Sequence, residues 1–140
     1  PWEVKADVAM PCATQNEVDL EDAKNIAANG TKYYIEVANM PTTSEALDYL
    51  TSRKTIIVAP SKAVNAGGVC VSGLEMSQNS QRLSWSAEEV DSRLKAAMKN
   101  IYKNSVDAAE RYGLGYNLVA GANIAGFEKV ADAMMTQGVY

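Results

Sequence analysis

Thr14-Gln15-Asn16, Asn39 with Thr42 and Thr43, and Ser61 with Asn65 form three clusters of small polar side chains, each following a short apolar stretch. Such side chains hydrogen-bond ribose hydroxyls and carboxamides without bringing charge. They are also the residues of turns and helix N-caps, so type and spacing by themselves leave both readings open. Asn65-Ala66-Gly67-Gly68-Val69 is more informative. Paired glycines ahead of a helix let backbone approach a ligand closely and leave N–H groups free at the helix start, although a plain loop has the same composition. That spacing puts Ser72 in the first turn of the following helix, where its hydroxyl can bond a carboxylate or turn back on its own backbone.

Acid–base chemistry has few candidates. The chain contains no histidine, which removes His-dependent triads, most zinc chemistry and the commonest general base at neutral pH. Glu88, Glu89, Asp91, Glu110, Glu128 and Asp132 fall on predicted helices among basic neighbours and read as solvated surface. Lys62 is the one cation beside the third cluster, and a solvent-facing role is equally open. Cys12 and Cys70 lie in apolar sequence surroundings with no second Cys or His at ligand spacing, so reduced structural thiols are expected. No residue is assigned as catalytic or as a metal ligand.

The elements that must position these clusters alternate in type. Ala6 to Met10, ended by Pro11, suits a buried parallel strand. Asp19 is placed to cap a helix through Leu20, Ala23, Ile26 and Ala27 that ends at Gly30. Tyr33 to Ala38, aromatic and β-branched, predicts a second strand. Thr42 with Glu45 has the capping-box spacing ahead of a second helix. Thr55 to Ala59 predicts a third strand buried on both faces and closed by Pro60. The order β-α-β-α-β implies a parallel sheet with right-handed crossovers, with the three clusters in the loops beyond its carboxyl ends, where open parallel sheets bind ligands.

Downstream of Pro60 the pattern is helical: Val69 to Leu83, then a long amphipathic helix launched by Ser86 and Glu89, then a last helix from about Asn117 or Ala122 to Gln137. In the long helix Val90, Leu94, Met98, Ile101 and Ser105 share one face, and the Leu94, Met98 and Ile101 stripe calls for a partner surface.

At 140 residues the chain suits one domain or a piece of a larger protein. Apolar residues make up 47% and charged residues 21%, with a mean hydropathy of -0.19, a balance that excludes disorder. Lys and Arg total 13 against 17 Asp and Glu, a net charge of -4, so neither nucleic acid nor an anionic membrane is an expected partner. No apolar run approaches the ~18 residues of a membrane span, and no signal-peptide pattern opens the chain, so a cytoplasmic location is expected. The start at Pro1, with a strand following almost at once, is expected of a piece of a larger protein.

Four motifs in order carry a resemblance: Pro11-Cys12-Ala13-Thr14-Gln15-Asn16-Glu17, Ala38-Asn39-Met40-Pro41-Thr42-Thr43, Lys62 to Val69 with Ser72-Gly73-Leu74-Glu75-Met76, and Gly121-Ala122-Asn123-Ile124-Ala125-Gly126-Phe127. Together they resemble the hexameric bacterial glutamate dehydrogenases over essentially the whole chain. The resemblance implies an α/β fold. Residues 1–64 would be the second half of a Rossmann-like, parallel-sheet nucleotide-binding domain, and residues 65–140 the C-terminal helices returning toward the substrate domain. It also implies NAD or NADP as cofactor, L-glutamate and 2-oxoglutarate as substrates, and a homo-oligomer.

By the same resemblance, Ala13 and Thr14 line the nicotinamide side of the cofactor groove, Asn39 approaches the nicotinamide ribose, and Asn65 the carboxamide. Val69 and Ser72 close the pocket around the substrate's side-chain carboxylate. Val37 stands where many members carry glycine. The glycine-rich phosphate turn and the catalytic lysine and aspartate lie upstream in the family, so this stretch alone is expected to be inactive. A leucine or phenylalanine dehydrogenase relative is the alternative, against which the Ser72 hydroxyl argues. A noncatalytic binding or assembly module that kept the fold is the other.

Overall fold

The computed structural model describes residues 1–138. Three strands, β1 (Val8–Ala9), β2 (Tyr33–Ile35) and β3 (Ile57–Ala59), form a parallel sheet in that order. Val8 pairs with Tyr33, and Tyr33, Tyr34 and Ile35 pair with Ile57, Val58 and Ala59. The expected strands are present, each shorter than its apolar stretch. Two are less buried than expected. β1 is an edge strand whose Ala9 is buried while Val8 and Met10 are exposed. In and beside β3, Ile56 and Val58 are buried but Ile57 and Ala59 only half so, because a short sheet is covered fully on one face alone.

Helix α1 (Leu20–Ala28) begins as the sequence predicts: Asp19 Oδ1 accepts from the Asp22 N–H at 3.0 Å, and Asp22 Oδ2 accepts from the Asp19 N–H at 3.4 Å. Helix α2 (Ser44–Thr51) does not, since its N-cap is Thr43 and no side chain caps it. The expected Thr42–Glu45 box fails because the Thr42 hydroxyl is taken by the Tyr34 hydroxyl, 2.6 Å away in the core. A buried phenol needs a partner, and losing it costs about 1–3 kcal/mol. Ala23 and Ile26 of α1, Ala46 and Leu50 of α2, Val18, Tyr34, Ile56 and Val58 form the core. Each large member contributes about 1.5–3 kcal/mol by burial.

Ser61 to Gly68, expected as a loop, is helical. Helix α3 (Ser61–Val64) and helix α4 (Ala66–Gln81) meet at Asn65. Gly67 and Gly68 therefore lie inside the first turn of α4, and Ser72 in its second. A Cβ on Gly67 would sit 3.3 Å from Met98 Sδ and 3.4 Å from Leu94 Cδ1, so this glycine lets α4 seat against α5 (Ala87–Arg111). The Leu94 and Met98 stripe, expected to need a partner surface, thus finds one within the chain, and both residues are half-buried.

Ser86 Oγ accepts from the Glu89 N–H at 3.2 Å, but the Glu89 carboxylate turns to Arg93 at 2.8 Å, leaving the second capping box half formed. Helix α6 (Leu118–Gln137) is capped by Asn117 and crosses α5 at Ser105, Ala108, Ala109 and Gly121, all buried.

Two tyrosines tie stability to alkaline pH. The hydrogen bond of 2.7 Å to Tyr102, with partial burial, pushes the Tyr116 phenol from 10.0 up to about 12. Burial likewise holds the Tyr34 phenol well above the usual range. A phenol raised in the fold stabilises fully below its unfolded value, and that contribution disappears as pH rises through the folded one. Stability is therefore expected to fall from about pH 10 upward, read by circular dichroism against pH. Tyr116→Phe should flatten the fall, and a superimposable profile would count against this assignment.

Candidate functional site

Parallel strands bring their carboxyl ends to one side, and the three polar segments gather there. Two of them are laced together by backbone. The Asn16 N–H donates to Met40 O at 3.0 Å, Val18 N–H to Pro41 O at 2.9 Å and Thr43 N–H to Val18 O at 3.0 Å. Pro11 O accepts from both Val37 N–H (3.1 Å) and Ala38 N–H (3.0 Å). This lacing holds Asn16 (φ 55°) and Met40 (φ 46°) in the left-handed region, where a non-glycine residue costs about 1 kcal/mol or more. Glu17 adds a side-chain tie, its Oε1 accepting from the Ala13 N–H at 2.9 Å.

The six residues singled out from the sequence all line one open cleft of about 710 Å³: Ala13 and Thr14 from the segment after β1, Asn39 from that after β2, Asn65 at the α3–α4 junction, and Val69 and Ser72 on α4. Across it, the Asn65 Nδ2–H donates to Asn39 Oδ1 at 2.7 Å. Val69, 77% exposed, presents an apolar wall to the opening. Val37 also lines the cleft.

Among the described residues no charged side chain lines this cleft, and Cys12 is the one titratable group that does. Cys12 is exposed rather than enclosed in apolar surroundings, because its strand has already ended, and its thiol donates to Met10 O at 3.3 Å. Cys70 is half-buried. Lys62 points elsewhere, hydrogen-bonded through Nζ to Asn123 Oδ1 of α6. Among the described residues no group of His, Cys, Asp or Glu is arranged to hold a metal, and no helix is long and apolar enough to cross a membrane.

The polar clusters divide between the two readings they allowed. Thr14, Gln15, Asn39 and Asn65 face the cleft, whereas Thr43 holds the N-cap position of α2 without a side-chain bond and Thr42 is a core partner. Of the helical carboxylates, Glu128 joins α6 to the end of α5, bonding Arg111 at 2.8 Å and the Tyr112 hydroxyl at 3.0 Å. One buried carboxylate escaped the sequence reading: Glu36 lies at the end of β2, where its Oε2 accepts from the Ser61 N–H at 3.0 Å. The only signal for it was a carboxylate in an otherwise aromatic and β-branched stretch.

Comparison with known proteins agrees with this arrangement. A family model described as Glutamate/Leucine/Phenylalanine/Valine dehydrogenase matches residues 1–138. The chain is 70% identical over 139 residues to the NAD-specific glutamate dehydrogenase of Clostridium symbiosum, covering 99% of this chain and 31% of that protein. It is 53% identical to the NADP-specific glutamate dehydrogenase of Haemophilus influenzae, covering 100% and 31%. A solved glutamate dehydrogenase superposes with a TM-score of 0.96 at 70% identity, again over 99% and 31%. The chain thus spans about a third of the length of the relatives it matches. With its motifs, its parallel sheet and its cleft all in agreement, the chain belongs to the Glutamate/Leucine/Phenylalanine/Valine dehydrogenase family.

Proposed function

We propose that the chain is the C-terminal part of an NAD- or NADP-dependent glutamate dehydrogenase, a cytoplasmic enzyme that interconverts L-glutamate with 2-oxoglutarate and ammonia. Residues 1–64 supply half of its dinucleotide-binding domain and residues 65–140 the helices that return toward the substrate domain. One observation carries the reading: residues from three separated segments converge on a single uncharged, polar cleft.

That cleft fits the neutral end of a nicotinamide dinucleotide. With one amide proton of Asn65 already bonded to Asn39, the Asn65 carbonyl and its second N–H remain to meet a carboxamide, and the Asn39 amide remains to meet a ribose hydroxyl. Ala13 and Thr14 form the adjoining wall. When bound, the cofactor supplies the redox chemistry, and these residues bind and orient it. Val69 and Ser72 stand at the mouth, where the serine hydroxyl suits a substrate side-chain carboxylate and gives an apolar side chain no advantage. Exposed apolar residues on α4 and α6 support assembly with the remainder of the parent chain and with further copies, as in a hexamer.

The reading is tested in the full-length enzyme by glutamate-dependent reduction of NAD and NADP. Ser72→Ala is expected to weaken kcat/KM for glutamate by about 1–3 kcal/mol, the range for losing one hydrogen bond to a charged group, with cofactor affinity unchanged. Unchanged glutamate kinetics with weakened cofactor binding would reassign Ser72.

A further inference from the structure

We infer that Glu36 is a positioning residue, fixing the Asn39–Asn65 pair from outside the cleft in which they lie; this rests on the cofactor reading above. Glu36 is 3% exposed and is the only buried charged side chain among the described residues. Burying a carboxylate is costly unless it is hydrogen-bonded, so its place calls for a reason. Its Oε2 accepts from the Ser61 N–H at 3.0 Å, while its own N–H donates to Ala59 O at 3.0 Å. Both contacts tie the end of β2 to the β3–α3 junction.

The consequence lies one helical turn away. Ser61 opens α3, and its carbonyl accepts from the Asn65 N–H at 2.9 Å. Asn65 Nδ2 then bonds Asn39 Oδ1 at 2.7 Å, and Asn39 lies three residues beyond Glu36 on the same segment. Three hydrogen bonds, Glu36 to Ser61, Ser61 to Asn65 and Asn65 to Asn39, therefore close a ring through the two chain segments. Removing the carboxylate frees α3 to slide, and with it the Asn65 amide relative to Asn39. Glu36 lines a neighbouring cleft with Ser61 and Lys62, not the one the asparagines share. It acts through them without touching the ligand.

The ring is tested from both sides in the full-length enzyme. Glu36→Ala removes the acceptor. Ser61→Pro removes the donor and puts the ring Cδ where the N–H pointed, so the Glu36 carboxylate must turn away, while proline itself suits the first residue of a helix. Each is expected to weaken NADH or NADPH about tenfold while leaving ADP, or its 2′-phosphate, which lack both the nicotinamide and its ribose, within about twofold. Glu36→Gln, which keeps a carbonyl acceptor, should restore binding, and the Glu36→Ala/Ser61→Pro pair should be no worse than either change alone. Equal loss of NADH and ADP, or no rescue by glutamine, reduces Glu36 to a structural residue and overturns the inference. If Asn39→Ala and Asn65→Ala weaken NADH but Glu36→Ala and Ser61→Pro do not, the ring alone is wrong. If the asparagine variants leave NADH binding intact, the cofactor reading falls with it.

Discussion

Gly121→Ala is expected to destabilise the chain by about 3 kcal/mol, the upper range for overpacking. An ideal Cβ at this position would lie 1.9 Å from the Ser105 carbonyl oxygen, 2.8 Å from its carbon and 3.1 Å from Ala109 Cβ. Two of those three atoms are backbone, so no rotamer change relieves the clash and α5 and α6 must separate. Separation exposes Ser105, Ala108, Ala109 and Leu118, the buried residues of the crossing. Alanine's better helix propensity acts the other way, by about 1 kcal/mol, and is outweighed. Gly126 is the internal control. It lies on the same helix with nothing within 4 Å of its ideal Cβ, so Gly126→Ala should be neutral or slightly stabilising. Urea midpoints of the two variants decide the matter, and coincident curves would show that the crossing tolerates a methyl group.

Gly121 also marks where legibility in the sequence ends. Glycine inside a helical pattern signals close approach but not the partner, which here sits on another helix. Features set by nearest neighbours were legible: the Asp19 cap, the three apolar stretches that became β1, β2 and β3, and the all-helical second half. The β-α-β-α-β order was enough to bring the polar segments to one end of the sheet. The failures share a cause, a partner distant in sequence that outbids a local one. Thr42 had Glu45 at capping-box spacing, but the Tyr34 hydroxyl inside the core took it. Glu36 drew no reading from the sequence, because its partner Ser61 lies 25 residues further on. The stretch from Ser61 to Gly68 looked like a loop because glycines and small polar residues break isolated helices, and packing of Gly67 under Leu94 and Met98 overrode that tendency. Among the site residues, the roles came from the resemblance. Their convergence on one cleft could only be seen in three dimensions.

The isolated 140-residue chain is expected to show no turnover of glutamate and no tight binding of NAD or NADP. Proton transfer needs a titratable group at the reacting atoms, and among the described residues the cleft offers only the Cys12 thiol. The nearby charged groups are engaged elsewhere, Glu17 with the Ala13 N–H, Glu36 with the Ser61 N–H and Lys62 with Asn123. Dinucleotide affinity depends heavily on phosphate contacts from a glycine-rich turn and helix N-terminus, and the uncharged cleft has no substitute for them. The same chain should associate. Phe127, Val130 and Met134 recur at helical spacing on α6, with Phe127 71% exposed, and Val69 and Met76 do so on α4. Apolar stripes of this kind, together with the open edge of β1, favour contact with other surfaces. Light scattering gives the mass, and titration calorimetry with each dinucleotide gives the affinity. A strictly monomeric chain with micromolar affinity would mean that Asn39, Asn65 and their neighbours hold the cofactor without phosphate contacts, placing far more of the binding energy in this cleft than its neutral side chains account for.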